Sequence, residues 1–138
     1  MERFVDASGQ IAGRLASATA KHLLKGDSVI IINAESAVIS GDPVYTETLF
    51  KEKVERGDPY HGPFYPKEPD AMLRRMIRGM LPFHTARGRE AFRRLRVYKS
   101  MPAELKGKKF EKTHVEMKSP KHIAVGNLSI KLGVKKSW

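Results

Sequence analysis

The first 33 residues hold two short apolar segments separated by an amphipathic one, and this order constrains the fold more than any other feature of the chain. Residues 3–7 have the length of a short strand, and residues 28–33 form a continuous aliphatic run typical of a strand buried on both faces. Between them, apolar residues recur at helical spacing until Gly26 interrupts the pattern. Strand, helix and strand within about thirty residues predict a βαβ unit, and hence a parallel sheet with a right-handed crossover.

The next segment combines a third short strand, a helix and an irregular loop. Residues 38–40 are expected to extend the sheet, and Asp42 followed by Pro43 predicts the start of a helix that runs to about Glu55. Residues 57–69 contain four of the eight prolines together with three aromatic residues, which predicts an extended loop. We expect these rings to anchor the loop to its own domain, with base stacking as the alternative.

Two consecutive arginine-rich helices are predicted after this loop. The first begins at Asp70 and ends before Pro82, and the second runs from Gly88 to about Val97. In the second helix, Arg89, Arg93 and Arg96 are spaced to form one basic ridge. The apolar side chains expected on the buried sides are Met72, Leu73, Met76, Ile77, Met80 and Leu81 in the first helix, and Ala91, Phe92, Leu95 and Tyr98 in the second.

The remainder of the chain is rich in lysine and has little periodicity, so we expect much of it to be extended before a partner binds. Residues 122–125 are expected to add a last strand, and Asn127 to cap a short helix through Leu132. The prediction is a single domain over residues 1–138, with a βαβ-type core (1–56), the Pro/aromatic loop (57–69), arginine-rich helices (70–98) and a basic tail (99–138). The lysine-rich stretch in the first part of this tail contains Lys106, Lys108, Lys109, Lys112, Lys118 and Lys121.

Charge is distributed unevenly along the chain. Residues 1–70 carry eight Lys and Arg against eleven Asp and Glu, whereas residues 71–138 carry eighteen against four, within a net charge of +11. Between residues 74 and 99, Glu90 is the only acid among nine cations. Like charges on one helix face repel, so a solvent-facing surface gains nothing from this arrangement, but a phosphate-facing surface does. The charge pattern therefore predicts nucleic-acid binding.

Several other classes of protein and site are disfavoured by the composition. Cysteine is absent, which excludes disulfides and thiolate sites, and the histidines lack metal-ligand spacing. We expect no catalytic residues, no metal, no cofactor and no small-molecule substrate. The chain start has no basic lead followed by an apolar segment, and no apolar run is long enough to span a bilayer, so we expect no secretory signal and no membrane partner.

Two competing functions stay open at this point. A small α/β enzyme acting on a nucleotide or nucleic acid could use the first glycine turn for phosphate, although the pattern Ala7-x-Gly9-x-x-Ala12 lacks the first glycine of the dinucleotide fingerprint. Close packing of helix on strand at Gly9 and Gly13 is the alternative explanation of this turn. A basic DNA-binding module is the second competing function, although the connection between the arginine-rich helices is long for a helix-turn-helix.

Several motifs resemble the universal large-ribosomal-subunit protein family number thirteen in its archaeal and eukaryotic form. The resemblance covers almost the whole length and is weakest around residues 100–120. Its most specific part is the stretch 78–82, Arg-Gly-Met-Leu-Pro. The other matching motifs are Asp6-Ala7-x-Gly9, Gly13-Arg14-Leu15-Ala16-Ser17, Asn33-Ala34-Glu35, Ile39-Ser40-Gly41, Gly62-Pro63-Phe64-Tyr65-Pro66-Lys67, Arg87-Gly88-Arg89 and Arg94-Leu95-Arg96-Val97-Tyr98.

This resemblance implies a three-layer α/β/α domain around a small parallel sheet. It also implies a non-enzymatic, cytoplasmic component of the large ribosomal subunit that joins early in assembly and contacts large-subunit rRNA and neighbouring ribosomal proteins. Arg78, Arg87, Arg89, Arg94 and Arg96 fall within its basic motifs, whereas the helical faces, the helix connection and the tail supply the other candidates. The complete set of predicted RNA contacts is Arg74, Arg75, Arg78, His84, Thr85, Arg87, Arg89, Arg93, Arg94, Arg96, Lys99, Lys106, Lys108 and Lys109.

Overall fold

The chain forms a mixed α/β domain in a computed structural model that describes residues 1–113 and 120–138. Five helices and five strands lie within this described part, together with the 3₁₀ turns Ala34–Ser36 and Ala103–Leu105. The strands are β1 (Glu2–Asp6), β2 (Ser28–Ile32), β3 (Val38–Ser40), β4 (Leu95–Val97) and β5 (His122–Ala124). The helices are α1 (Ala12–Leu24), α2 (Pro43–Glu55), α3 (Pro69–Gly79), α4 (Ala86–Arg93) and α5 (Val125–Lys131).

The larger sheet is parallel and has three strands in the order β1–β2–β4. β1 and β2 are paired from Glu2 opposite Ser28 to Asp6 opposite Ile32, and α1 connects them. Parallel neighbours need a crossover of this kind, so the predicted βαβ unit is confirmed. The small parallel sheet and its helices agree with the predicted single-domain, three-layer α/β/α class.

The smaller sheet corrects one prediction, because β3 does not extend the parallel sheet. β3 instead pairs antiparallel with β5, with Val38 opposite Ala124. Asn33 adopts a left-handed conformation with φ 56°, and the 3₁₀ turn Ala34–Ser36 follows it, so the chain leaves the line of β2. The position beside β2 is occupied by β4, and Glu111 bridges β1.

The hydrophobic core lies between the parallel sheet and the helices α1 and α3. α1 contacts α3 and β2, and α3 contacts β4. Alternate side chains of the strands point into this core, as the two-residue period of a strand requires. The core includes Val5, Leu15, Leu23, Val29, Ile31, Met72, Leu73, Ile77, Ala91, Leu95, Val125 and Leu128.

The second arginine-rich helix is shorter than predicted. α4 ends at Arg93, and Leu95–Val97 forms β4, whose Leu95 is opposite Val29 of β2. Leu95 satisfies a helical stripe, but Leu95, Arg96 and Val97 also alternate in the way a strand does, so periodicity alone does not separate the two. Pairing with β2 decides the outcome, because it buries Leu95 and lets Tyr98 N donate to Ile31 O at 2.8 Å.

Smaller differences occur at the helix ends. Asp42 caps α2 as predicted, with its Oδ1 accepting from Val44 N at 2.9 Å. Met80 follows the end of α3 and is 45% exposed, so its predicted place in the core is wrong. α5 begins at Val125, before the predicted cap Asn127, which lies exposed within the helix.

The first part of the basic tail is anchored to the parallel sheet. Phe110 packs edge-to-face on Phe4 with ring centroids 5.8 Å apart, and Glu111 N donates to Phe4 O at 3.0 Å. This segment of the tail, which the sequence predicts to be extended, is therefore fixed to the sheet within the domain itself. The predicted tail residue Lys118 lies outside the described residues.

Candidate nucleic-acid interface

Two of the arginines of α3 lie beside a pair of aromatic rings. Arg74 places its guanidinium carbon 4.6 Å from the Phe92 ring centroid, and that of Arg78 lies 4.4 Å from the Phe83 ring centroid. The two rings meet edge-to-face, with centroids 5.6 Å apart. Cation–π contacts at exposed sites contribute about 0.5–1 kcal/mol each, so the rings restrict these guanidinium groups before any ligand arrives. The sequence predicted Phe92 only as one of the apolar side chains on the buried side of the second arginine-rich helix.

A groove of about 370 Å³ lies at the C-terminal end of α3. Arg75 and Arg78 supply its charge, and Phe83 and His84 supply its rings. His84 is exposed and has no hydrogen-bond or ion-pair partner among the described residues. We call this surface the α3 groove; it is lined by Arg75, Arg78, Gly79, Leu81, Pro82, Phe83 and His84.

The connection from α3 to α4 is held by Thr85. Its hydroxyl donates to Pro82 O at 2.8 Å and accepts from Gly88 N at 3.2 Å, which makes Thr85 the N-cap of α4. Gly88 faces Pro82 so closely that an added Cβ would collide with the Pro82 carbonyl oxygen. The predicted contact residue Thr85 therefore has a structural role in positioning His84, and RNA contact by its side chain stays a prediction.

A second groove, of about 320 Å³, lies at the amino ends of the parallel strands. The predicted helical ridge Arg89–Arg93–Arg96 is wrong, because Arg96 lies on β4, opposite Ile30 of β2. The fold nevertheless brings Arg93 and Arg96 into one groove, and both side chains are exposed. We call this surface the sheet-edge groove; it is lined by Glu2, Ser28, Ile30, Arg93, Arg94 and Arg96.

Two predicted contact arginines are bonded to the end of α1. Arg94 donates from a terminal guanidinium nitrogen to Leu23 O at 2.6 Å, and Arg87 donates to Leu24 O at 3.3 Å. The last carbonyls of a helix lack partners within it and carry its negative dipole end, so cations stabilise them. The Nε of Arg94 is buried and has no hydrogen-bond partner among the described residues. RNA contact by these two arginines stays a prediction alongside this structural role.

Arg89 and Lys99, two further predicted contact residues, differ in whether their side chains are paired with other groups. Arg89 is exposed, and within the described part of the chain its side chain makes no hydrogen bond or ion pair. Lys99 donates to Glu68 at 3.0 Å and to Ser137 Oγ at 2.9 Å, and its hydrogen bond to the Glu68 carboxylate raises the pKa of Lys99.

The three tail lysines lie apart from the two arginine grooves. Lys108 is 5.6 Å from the centroid of the Phe4 ring. Lys109 lines a different depression together with Phe4 and Phe110, and Lys106 is exposed. The structure thus does not bring all fourteen predicted residues into one site.

The aromatic residues of the Pro/aromatic loop behave differently from one another. Tyr65 packs edge-to-face on Phe50 with centroids 5.8 Å apart, as expected for an anchor. Tyr60 and Phe64 are 88% and 68% exposed, so the prediction that they anchor the loop is wrong. Phe64 shares a third groove with Lys53 and Arg56, two cations that sequence reasoning did not single out because they lie on α2 and at its end, outside the arginine-rich stretch.

The first glycine turn is occupied by the protein's own backbone. Gly9 N donates to Ser36 O at 3.0 Å, and Val38 N donates to Gln10 O at 2.9 Å. These bonds explain the turn as a packing element, although nothing lies within 4 Å of a Cβ placed at Gly13, so close packing does not require glycine there. In residues 1–113 and 120–138, no group of three or more histidine and acidic side chains is arranged to hold a metal.

No helix among the described residues combines the length and the apolar composition that a membrane span needs.

Comparison with known proteins gives a consistent family assignment. Residues 1–104 match the family model described as ribosomal protein L13. A protein of Methanosarcina barkeri named large ribosomal subunit protein uL13 is 48% identical over 136 residues, covering 95% of this chain and 97% of its own. Proteins of the same name from Archaeoglobus fulgidus and Thermoplasma acidophilum are each 43% identical, covering 94% and 95% of this chain and 86% and 98% of their own. With the expected α/β fold and basic grooves in place, these matches show that the chain belongs to the ribosomal protein L13 family.

Proposed function

We propose that this protein is a structural constituent of the large ribosomal subunit in the cytoplasm, where it contacts large-subunit rRNA and neighbouring ribosomal proteins and joins early in assembly. As a member of a family of structural ribosomal proteins, the chain is not an enzyme. The names of its relatives support placement in the large subunit.

The observation that carries the RNA contact is the uncompensated charge of the two arginine grooves. Glu90, the one acid between residues 74 and 99, makes no ion pair among the described residues. The side chains of Arg93 and Arg96 likewise have no hydrogen-bond or ion-pair partner there. Among the described residues, Glu2 is the one acid that lines the sheet-edge groove, beside three arginines. Guanidinium groups that outnumber the acids beside them favour a polyanion, because phosphate accepts two parallel hydrogen bonds from each of them.

The contact recognises backbone and shape rather than sequence. Ribosomal RNA is mainly A-form helix, whose narrow major groove side chains do not read easily. Arginines of the α3 groove and the sheet-edge groove bind phosphates of folded RNA and displace its counterions. With roughly 6–10 phosphate contacts, affinity falls by about 10³–10⁵ between 50 and 200 mM salt.

The test measures binding of the full-length protein to large-subunit rRNA over a series of salt concentrations. The double variant Arg93→Gln/Arg96→Gln should reduce the slope of log affinity against log salt by about two, since each phosphate contact contributes about one. The control Lys135→Gln/Lys136→Gln removes the same charge from two exposed positions near the C-terminus. Equal effects of the two double variants on the salt slope, or a flat salt response of the wild type, would contradict the proposal.

Placement in the subunit is tested in the source organism. A tagged copy should co-sediment with large subunits through a high-salt gradient, and it should already be present in incomplete large-subunit particles. Recovery only at the top of the gradient would rule out a built-in component, and absence from early particles would rule out early incorporation. A preference of the pure protein for duplex DNA over structured RNA would favour a DNA-binding module instead.

A further inference from the structure

The Pro/aromatic loop presents one large apolar ring to solvent beside a cluster of cations. Phe64 is 68% exposed, whereas its neighbour Tyr65 is half-buried against Phe50. An exposed phenyl ring loses the stabilisation that burial gives it, about 1.5–3 kcal/mol for a full side chain. Single exposed apolar side chains are common on protein surfaces, so it is the cations beside this ring, together with its exposure, that indicate a ligand.

The loop is held in shape by its own hydrogen bonds. Asp58 N donates to Gly62 O at 3.2 Å, and Gly62 N donates to Asp58 O at 2.9 Å. The Asp58 carboxylate accepts from Tyr60 N at 2.8 Å. Gly57 has φ +94° and backs directly onto Gly62 and Pro63, where any side chain would collide. Phe64 thus leaves a braced turn, and its exposure belongs to an ordered conformation.

A groove of about 230 Å³ lies between this ring and the neighbouring helices. It is smaller than the roughly 300–1,000 Å³ of pockets that enclose drug-sized molecules. Lys53 lies 4.8 Å from the Phe50 ring centroid, and Arg75 lies 5.8 Å from the Tyr65 ring centroid. No carboxylate is among the groove's lining residues in the described chain, which are Lys53, Arg56, Pro63, Phe64, Tyr65 and Arg75.

We propose that this groove binds an unpaired nucleotide of the large-subunit RNA, with its base stacked on Phe64 and its phosphates held by Lys53, Arg56 and Arg75. An exposed ring beside three cations matches a ligand that is both aromatic and anionic. The inference rests on the proposed RNA-binding function. Arg75 also lines the α3 groove, so the two grooves adjoin and a bound RNA strand passes from one to the other.

Stacking and charge have different salt signatures, and this difference tests the proposal. Phe64→Ala should weaken binding of the full-length protein to large-subunit rRNA by about 5–150-fold, the range that base–aromatic stacking corresponds to, without changing the salt slope. Phe64→Leu should behave similarly because it keeps apolar area but has no π face, and Phe64→Trp should retain affinity. Arg56→Gln should instead reduce the slope by about one.

Tyr45 provides a matched control for the loss of an exposed ring. It is 68% exposed, as Phe64 is, but lies near the start of α2, some 12 Å along the helix from Lys53 at the usual rise per residue. Tyr45→Ala should leave affinity unchanged. Circular dichroism and thermal unfolding of each variant identify any loss caused by misfolding.

A fluorescence measurement reports stacking directly. The chain has one tryptophan, Trp138, so Trp138→Phe combined with Phe64→Trp places a single indole in the groove. Its emission should be quenched when large-subunit rRNA binds, and an indole introduced by Tyr45→Trp in the same background should not respond.

The outcomes separate this inference from the proposed function. A wild type that fails to bind rRNA, or binds with a flat salt response, contradicts both. Steep salt dependence with unchanged affinity of Phe64→Ala and an unquenched indole overturns only the nucleotide site. If Phe64→Ala instead lowers incorporation into particles while RNA affinity is unchanged, the ring faces a protein neighbour and the proposal is wrong.

Discussion

At the scale of single residues, neighbouring arginines of similar sequence context have different structural roles. Arg93 is exposed, and its side chain has no hydrogen-bond or ion-pair partner among the described residues. Arg94 is half-buried and donates to Leu23 O at the end of α1. A basic motif therefore combines residues that build the surface with residues that are free to act on it.

Substitution should separate these two roles. Arg94→Gln removes a charged hydrogen bond to a helix terminus and should lower the free energy of unfolding by about 1–3 kcal/mol. Arg93→Gln should change it by less than about 0.5 kcal/mol, as is usual for exposed positions. Urea unfolding monitored by circular dichroism measures both. Equal destabilisation by the two variants would mean that the Arg94 bond contributes nothing to stability.

Asp6, at the end of β1, should make stability depend on acid pH. Burial raises the pKa of this carboxyl, but hydrogen bonds from Ser8 N at 3.0 Å and Asn33 Nδ2 at 3.1 Å outweigh it, so the pKa lies below the ordinary value of 3.8. A depressed pKa stabilises the fold above the unfolded-state value, and this contribution is lost as the pH falls through the folded-state pKa.

Asp6→Asn should remove this dependence. Between about pH 5 and pH 2, the free energy of unfolding should fall more steeply for the wild type than for the variant, because only the wild type must protonate Asp6. Urea titrations at each pH give the two curves. Parallel curves would show that Asp6 ionises alike in the folded and unfolded chains.

At the scale of elements, the connection between α3 and α4 depends on one close backbone approach. Gly88, in the first turn of α4, lies against the Pro82 carbonyl, and the Thr85 hydroxyl bonds to both residues. This contact sets the direction in which α4 leaves α3. It thereby places Phe83 and His84 in the α3 groove and Arg93 in the sheet-edge groove.

Gly88→Ala should destabilise the protein by about 1–3 kcal/mol, since the added methyl group overpacks a site that is already filled. Gly79, at the end of α3, is the control, because nothing lies within 4 Å of a Cβ placed there. Gly79→Ala should stabilise the protein by about 0.4–1 kcal/mol, because alanine lowers the conformational entropy of the unfolded chain. Thermal unfolding measures both; a neutral Gly88→Ala would show that the connection shifts without cost.

At the scale of the whole molecule, arginines that are close in sequence supply two separate grooves. The α3 groove and the sheet-edge groove share no lining residue, although both draw on the segment from Arg74 to Arg96. The scaffold beneath them includes β1, α1 and β2, which the weakly acidic first half of the chain supplies. We therefore expect one small domain to contact two RNA segments.

The effects of the two grooves on RNA binding should add. Arg75→Gln/Arg78→Gln in the α3 groove and Arg93→Gln/Arg96→Gln in the sheet-edge groove should each reduce the salt slope by about two, and the quadruple variant by about four. Distant sites without shared partners normally behave additively. Filter binding or fluorescence anisotropy with large-subunit rRNA gives the slopes. If the quadruple variant binds the RNA no more weakly than one of the double variants, only one of the two grooves contacts the RNA.

Local patterns predicted β1, α1, β2, α2 and α3 closely, because each depends on spacings of two to four residues that the sequence displays directly. The same information was insufficient at Leu95 and Val97. Leu95 continues the helical stripe of Ala91 and Phe92 but also alternates with Val97 as in a strand, and pairing with β2 selects the strand. The candidate site was predicted to a similar extent. The sequence indicated the arginine-rich stretch, but neither its division into two grooves nor the third groove at Phe64.

The sequence by itself determined the βαβ start, the amphipathic helices, the excess of positive charge and the family. Only the tertiary structure decided which arginines remain open, because Arg87 and Arg94 find their partners 63 and 71 residues earlier in the chain. It also decided that β3 pairs with β5 and that Phe64 lies beside Lys53. Side-chain periodicity describes neighbours within one element, whereas these contacts depend on which elements meet when the common core closes.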